Sequence, residues 1–224
     1  MAVTALYVHV PFCAQKCRYC DFDSRSFASC DLSAALDFYF EQLYARLDSF
    51  GDAGALAQVR TVYVGGGTPS LAGERLVELA RRICMWCKPV EFTCEANPES
   101  LTAGLATALA KVGVTRVSLG VQTLDNAELA AIGRIHDADR ALAAITTVKD
   151  AGLDVSCDLM CRTSRADRRK LATHARWRAG GGAASCVGVP AHAREGHAAL
   201  PHGVSRRVAR ARRGFSGCVH GRGA

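Results

Sequence analysis

Apolar and polar positions follow two rhythms along the first two thirds of the chain. Short stretches that are apolar at every second position, or nearly throughout, fall at residues 5–10, 59–64, 90–94, 116–121 and 153–160. That is strand patterning. Between them run longer stretches with a helical repeat: residues 32–50, with Leu36, Phe40, Leu43, Tyr44 and Leu47 along one stripe, then 76–86, 103–111, 127–132 and 138–151. Gly113 and Gly152 close two of these helices, and Gly65-Gly66-Gly67 ends the second strand. Five strands separated by helices predict parallel pairing with helical crossovers, either as a barrel or as an open α/β sheet.

After Met160 the rhythm stops. Residues 162–224 are rich in Arg, Ala, Gly and His, and apart from valine their only large apolar residues are Leu171, Trp177, Leu200 and Phe215. Such a stretch does not offset the entropy of forming a packed domain. Charge marks the same boundary. Residues 1–161 carry 14 Lys and Arg against 19 Asp and Glu, a net of −5, whereas residues 162–224 carry 14 against 2, a net of +12. The overall +7 therefore describes neither part. We read residues 1–161 as one folded unit and 162–224 as a basic tail of low order.

Length and leader signals narrow the class. No run of about 18 apolar residues is present, which predicts no transmembrane helix. The first residues lack a basic segment and a cleavage site, so a cytoplasmic protein is expected. Eleven cysteines in 224 residues would suggest a disulfide framework in a small secreted domain, but this chain is too long for that class. Metal or redox chemistry is the better reading.

Spacing shows where to look. Cys13-Ala-Gln-Lys-Cys17-Arg-Tyr-Cys20 follows the first strand directly. Three thiolates on one tight loop can hold three corners of a cubane iron–sulfur cluster and leave its fourth iron open. Structural zinc would want a fourth protein ligand, usually from a second paired motif. Buried packing cysteines are the third option, although three within eight residues of a loop is unusual for packing. Cys84-Met-Trp-Cys87 also has metal or redox spacing, with Cys94 near by, but no second pair accompanies it, so a structural role is expected. Cys30, Cys157 and Cys161 read as packing residues.

The C-x3-C-x2-C loop after a first strand resembles the radical S-adenosylmethionine (SAM) enzymes. The run Val8-His9-Val10-Pro11-Phe12-Cys13 through Cys20-Asp21-Phe22 resembles, more narrowly, the group of oxygen-independent coproporphyrinogen III oxidases and haem chaperones. Further motifs agree in content and order: Tyr63-Val64-Gly65-Gly66-Gly67-Thr68-Pro69-Ser70, Glu95-Ala-Asn97-Pro98-Glu99, Arg116-Val-Ser118-Leu-Gly120-Val-Gln122, Gly133-Arg134-Ile-His136 and Asp158-Leu159-Met160. The likeness spans about residues 3–161. It implies an α/β fold, a partial TIM-like (β/α) radical SAM barrel that stops after about five strands.

The resemblance also implies a site. Cys13, Cys17 and Cys20 would bind a 4Fe–4S cluster, and the amino and carboxylate groups of SAM would chelate the open iron. The reduced cluster would then break the sulfonium bond, giving methionine and a 5′-deoxyadenosyl radical. Gly66, Gly67 and Thr68 would contact the SAM amino group, their bare strand end letting backbone groups approach a polar ligand. Tyr7 and Tyr19 would flank the adenine and the cluster. Glu95, Gln122, Arg134 and Asp158 fall at or just past strand ends, where ligands of such barrels bind, and would complete the SAM site, with Arg134 on the carboxylate. His136 could reach a porphyrin, but a surface histidine is expected there. His9 is expected to be structural.

Function follows from the same likeness. Cys13 lies close to the N-terminus, and Asp21-Phe22 stands where the oxidase branch usually carries a further cysteine, so a haem chaperone that binds haem and SAM is the leading reading. The alternative is a coproporphyrinogen III oxidase, which decarboxylates two propionates to vinyl groups. Haem or a porphyrin would be the partner, with an electron donor such as flavodoxin or ferredoxin. Whether the chain is an enzyme stays open at this point. A third reading is a zinc-stabilised module whose basic tail binds nucleic acid through Arg206, Arg207, Arg210, Arg212 and Arg213. Without a recognition motif or interleaved aromatics, nucleic acid is the weaker expectation.

The tail suggests a slipped reading frame. In the resembled family, Asp-Leu-Met is followed by one residue and then Gly-Leu-Pro-x-Gln. GC-rich codons for residues 162–165, read one base later, give Gly-Pro-Pro-Gly. With suitable codons the same shift can turn residues 186–194 into Val-Ser-Val-Tyr-Pro-Leu-Thr-Arg-Glu, which resembles the family's next strand. The segments expected to contact haem or substrate would then be missing from the chain as written.

Overall fold

The computed structural model describes residues 2–26, 32–161 and 184–190, with Cys161 and 184–190 given by their backbone alone. In chain order the elements are β1 (Ala5–Val10), β2 (Phe12–Cys13), β3 (Arg25–Ser26), α1 (Leu32–Asp52), β4 (Thr61–Gly66), a 3-10 turn (Pro69–Ala72), α2 (Glu74–Trp86), β5 (Glu91–Ala96), α3 (Ala103–Lys111), β6 (Arg116–Gln122), α4 (Asn126–Ala131), α5 (Ala138–Asp150), β7 (Asp154–Cys161) and β8 (Ala184–Pro190). The five expected strands and their helices are all present.

The main sheet is parallel and runs β1-β4-β5-β6-β7-β8, while β2 and β3 form a separate two-stranded pair. Neighbours in the main sheet are thus neighbours in the chain. A right-handed crossover between adjacent parallel strands always places its helix on the same face. Repeated without reversal, it lays every helix on one side, the winding of a (β/α) barrel rather than of a doubly wound sheet. β8 is an addition to the expectation. It pairs with β7 from Val155↔Ala184 to Cys161↔Pro190, within the stretch where the sequence shows no strand period. The remaining expectations for residues 162–224, including the arginines between 206 and 213, lie outside the described residues.

The core lies between sheet and helices. Val8, Val10, Val62, Val64, Phe92, Cys94, Val117, Leu119, Val155 and Cys157 are buried at alternate strand positions. Leu76, Leu79, Ala80 and Ile83 of α2, Leu105 and Leu109 of α3, and Ala144, Ile145 and Val148 of α5 join them in one cluster. Capping fixes where the helices start. The Thr102 hydroxyl accepts from the Leu105 N–H, Asp125 accepts from Ala127 and Glu128, and Asp137 accepts from Arg140.

The opposite face of the sheet is polar. Tyr7, Tyr63, Thr93, Arg116 and Asp154 share one register row. Glu95, Ser118 and Ser156 form a second row nearer the C-terminal strand ends. In the first row the Arg116 guanidinium donates to Thr93 Oγ1 at 2.9 Å and to Glu91 Oε1 at 2.7 Å.

This arrangement predicts a sharp contrast in stability. Phe92→Ala removes a fully buried ring from β5 and should cost about 3–5 kcal/mol. Phe38 is 68% exposed, and Phe38→Ala should stay within about 0.5 kcal/mol. Urea denaturation of both variants checks it.

Candidate functional site

The cysteine loop is held at both ends and across its middle. β2, which contains Cys13, pairs in parallel with β3, so residues 14–24 form a closed excursion that carries Cys17 and Cys20. The Lys16 ammonium spans it, donating to the carbonyls of Phe22 at 2.9 Å and Ser24 at 3.1 Å. His9 Nε2 meets the Asp23 carbonyl at 2.8 Å, the structural role expected of it. The loop then docks on the segment after α4. Arg18 N–H donates to the Ile132 carbonyl at 3.1 Å, and Gln15 reaches the Gly133 carbonyl at 3.3 Å. Cys13 is buried, whereas Cys17 and Cys20 are half-buried. Burial pushes the Cys20 thiol up, the nearby Cys17 and Cys13 sulfurs add to this, and a hydrogen bond from the Phe22 backbone opposes it.

The glycine triplet binds the chain to itself. Gly66 N–H donates to Glu95 Oε2 at 2.9 Å, Gly67 N–H to the Val10 carbonyl at 2.8 Å and Thr68 N–H to the Phe12 carbonyl at 2.6 Å. These N–H groups are taken up by β5 and by the segment leading into the cysteine loop, so an amino group approaching this strand end would have to be met by backbone acceptors. The need for glycine is steric. Gly66 has φ +122°, and a Cβ there would stand 2.5 Å from the His9 ring; a Cβ on Gly67 would stand 2.5 Å from the Phe12 carbonyl oxygen. Side chains would force the loop off the sheet.

Further along the rim the other expected residues fall into two groups. On one side, Glu95 accepts from Tyr63 Oη at 2.6 Å, and Ser118 donates to Asp158 at 3.2 Å. Burial, with the Glu95 charge near by, raises the Asp158 carboxyl to about 6. Burial and Glu95 also push the Tyr63 phenol up. Tyr7 stacks on Tyr63 with ring centroids 6.1 Å apart, donates to or accepts from His9 Nδ1 at 3.0 Å, and is 58% exposed. It is not a core aromatic.

On the other side stands Arg134. Its Nη2 donates to Asn97 Oδ1 at 2.8 Å and to the Gly120 carbonyl at 2.6 Å, and its Nη1 donates to Cys17 Sγ at 3.5 Å. Burial alone would lower its pKa, but Tyr19, Cys17 and Glu99 more than offset this and raise it. Burial is likewise the main cause of the raised Tyr19 phenol, with Arg134 opposing and Cys17 and Cys20 assisting. Gln122 sits at a register shift in β6 with φ +66°, in a three-residue turn closed by Thr123 N–H to the Val121 carbonyl at 2.8 Å. A turn of this handedness is rare and strained. Gln122 Oε1 and Arg134 Nε are buried without a partner among the described residues. One acceptor and one donor therefore stand ready for a polar ligand at this rim.

Two further residues complete the network. Asn97, from the Glu-Ala-Asn-Pro-Glu motif, links Thr68 to Arg134 through its amide. His136, expected at the surface, is buried; its Nδ1 meets Glu99 Oε2 at 3.2 Å and its Nε2 meets the Val121 carbonyl at 3.4 Å, beside the strained turn. Glu99 is held below the ordinary carboxylate range, since His136 and Arg134 outweigh its own burial. Motif position alone could have marked Asn97 and Glu99, but it carries no sign of which way they point. Of the other cysteines, Cys87, Cys94 and Cys157 are buried and Cys84 half-buried, in keeping with packing roles; Cys30 and the Cys161 side chain lie outside the described residues.

A sequence profile of the radical SAM superfamily matches residues 7–162. The chain belongs to the radical SAM superfamily. Its curated relatives include the heme chaperone HemW of Haemophilus influenzae, 35% identical over 163 residues, which cover 70% of this chain and 42% of that protein. HemW of Mycobacterium tuberculosis is 37% identical over 163 residues with the same coverage. The mitochondrial radical S-adenosyl methionine domain-containing protein 1 of Bos taurus is 36% identical over 142 residues, covering 62% of this chain and 31% of that one. The chain thus spans about two fifths of the length of the HemW relatives it matches. Among solved structures, coproporphyrinogen III oxidase (HemN) of Escherichia coli superposes with a TM-score of 0.71 at 20% identity, covering 85% of this chain and 44% of that one. Methylornithine synthase (PylB) does so with 0.60 at 13%, covering 86% and 55%. Both neighbours share the α/β fold of this chain, and HemN is a radical SAM enzyme.

Radical SAM membership implies SAM and a 4Fe–4S cluster, and the cysteine loop suits that cluster. Among the described residues no three His, Cys, Asp or Glu side chains surround one point closely enough to hold a single metal ion. A cubane asks for something wider, because each thiolate meets a different iron. Three thiols on one anchored loop, none of them in a disulfide, with a cation donating to Cys17, supply such a set.

The raised Asp158 carboxyl has a stability consequence. Between about pH 4 and 6 the folded chain keeps a proton that the unfolded chain releases, so stability falls as pH rises through this window. Asp158→Asn should therefore be more stable than the native chain at about pH 7.5, on the order of 1–3 kcal/mol, with the gain fading near pH 4. Denaturation curves at the two pH values measure it.

Proposed function

We propose that residues 1–161 form the cluster- and SAM-binding core of a haem chaperone-like radical SAM protein. The observation that carries this reading is the cysteine loop docked against the sheet rim, with buried Arg134 reaching Cys17 and the orphaned Gln122 Oε1 beside it. HemW proteins among the relatives at 35–37% identity support the chaperone branch, as does Asp21-Phe22 after the third cysteine.

In this reading Cys13, Cys17 and Cys20 hold the cluster. Glu95 and Asp158 face the ribose or ammonium side of SAM, Gln122 and Arg134 take its amino-acid end, and Tyr7 and Tyr19 flank adenine and cluster. Gly66, Gly67 and Thr68 shape the approach rather than offering their amides, which are already bonded. When bound, the reduced cluster supplies the electron that cleaves the sulfonium. The chain's own contribution is to orient and to exclude water. Tyr63 and the Gly66 amide fix the Glu95 carboxylate, and Arg134 keeps a positive charge beside the cysteine loop. Haem is the proposed cargo, a flavodoxin- or ferredoxin-type protein the proposed electron donor, and the cytoplasm the proposed site of action.

The first test is anaerobic reconstitution with iron and sulfide. About four of each per chain are expected, with loading lost in Cys13→Ala, Cys17→Ala and Cys20→Ala. Zinc without iron or acid-labile sulfide overturns the reading. Given coproporphyrinogen III, the loaded protein should form no vinyl product; a vinyl product would move it to the oxidase branch.

Residues 162–224 are, in the same proposal, out of frame. The charge jump after Cys161 and the end of the superfamily match at residue 162 support this. Sequencing the coding DNA across codons 155–200 should find one base gained or lost. An intact frame overturns it and makes the basic tail worth testing for nucleic acid.

A further inference from the structure

We propose that Thr68 and Asn97 tune the reduction potential of the cluster through a hydrogen-bond relay that joins two of its three cysteines. The inference rests on the cysteine assignment proposed above and gives Thr68 a role different from contacting SAM.

The relay is continuous. Arg134 Nη1 donates to Cys17 Sγ at 3.5 Å, and Arg134 Nη2 donates to Asn97 Oδ1 at 2.8 Å. Asn97 Nδ2 donates to Thr68 Oγ1 at 3.0 Å, and Thr68 Oγ1 donates to Cys13 Sγ at 3.7 Å. Its direction is forced. A guanidinium has donors only, so the atom of Asn97 that faces it must be the carbonyl oxygen. The amide nitrogen is then left for Thr68, whose oxygen becomes an acceptor. A hydroxyl has a single proton, and the remaining partner for it is the Cys13 sulfur. Thr68 is 4% exposed, which leaves little room for water to compete.

One buried cation thus points donors at two sulfurs, directly at Cys17 and through two neutral side chains at Cys13. Two contacts hold the relay in place. Asn97 N–H donates to Ser70 Oγ at 3.2 Å, and Ser70 and Ser100 share a hydroxyl contact of 2.6 Å. Thr68 itself is fixed by its N–H on the Phe12 carbonyl.

Reduction adds one negative charge to a cluster, and part of it resides on the ligating sulfurs. Donors aimed at those sulfurs stabilise the reduced form more than the oxidised one and so raise the potential. In a dry site this preference is larger than in water. The relay makes reduction easier, with Thr68 controlling the contribution at Cys13.

The test uses the full chain, reconstituted anaerobically as native protein, Thr68→Val, Thr68→Ser and Asn97→Leu, at matched iron and sulfide content. The midpoint potential is read from the electron paramagnetic resonance signal of the reduced cluster during a dye-mediated titration. Thr68→Val, close in shape but lacking the proton, should lower the reduction equilibrium constant about tenfold, about 59 mV for a one-electron couple. Thr68→Ser should restore the native value. Asn97→Leu should shift the same way, and the double variant Thr68→Val with Asn97→Leu should fall short of the summed shifts. A Thr68→Val potential equal to native, or a Thr68→Ser shift as large as that of valine, overturns the proposal. If Thr68→Val assembles no cluster, an unshifted Asn97→Leu overturns it instead. A native chain that loads no cluster overturns the cysteine assignment itself, an outcome distinct from a loaded cluster whose potential ignores Thr68.

Discussion

The identity of strand order and chain order constrains everything else in this molecule. A parallel sheet wound without reversal sends all its helices to one face and all its strand C-termini to one rim. Residues far apart in sequence are thereby brought together by the same step repeated. Gly66, Ala96, Gln122 and Cys161 end successive strands; Glu95, Asn97 and Arg134 lie at or beyond such ends, and Asp158 lies three residues before the end of β7. No special long-range contact is needed to gather them. The winding does it, and the side chains need only be correct locally.

What the winding cannot do is hold the cysteine loop, which lies outside the main sheet. Backbone and side-chain contacts from His9, Gln15 and Arg18 contribute to that, and so does a buried positive charge. A guanidinium withdrawn from water is unfavourable unless several acceptors meet it in good geometry. Arg134 finds three, one each on the cysteine loop, on β6 and on the segment after β5. The loop therefore fits the rim only when those three parts are in place together. The Gly66 and Gly67 contacts impose the same requirement sterically, because they permit an approach that any Cβ would prevent.

Much of this is legible in the sequence. Alternation located the five strands to within two residues, since each has a helix-facing side that is almost wholly apolar. The cysteine spacing and the ordered motifs named the superfamily. Other features were hidden for specific reasons. His136 looks like a loop histidine because burial of a short polar segment depends on which acceptors surround it, here Glu99 and Val121. That the N–H groups after β4 are claimed by Glu95, by the end of β1 and by the segment behind it does not show in the sequence, because those partners lie elsewhere in the chain. β8 pairs through its backbone, in a segment whose residues lack strand alternation, and side-chain pattern is silent about such pairing. Asn97 stood in a recognised motif, but the direction of its amide is dictated by a partner 37 positions away.

The polar inner face has one more implication. In a filled barrel, inward side chains interdigitate and carry much of the stability. Here the two central rows are tyrosine, threonine, serine, arginine and carboxylates, while the main apolar cluster packs on the helix side. Folding and chemistry are thus written on alternate letters of the same strands. A lineage could rewrite the inward letters for a new guest and leave the helix-facing ones, and with them the scaffold, untouched. Such a polar face is open to revision in a way that an apolar core is not.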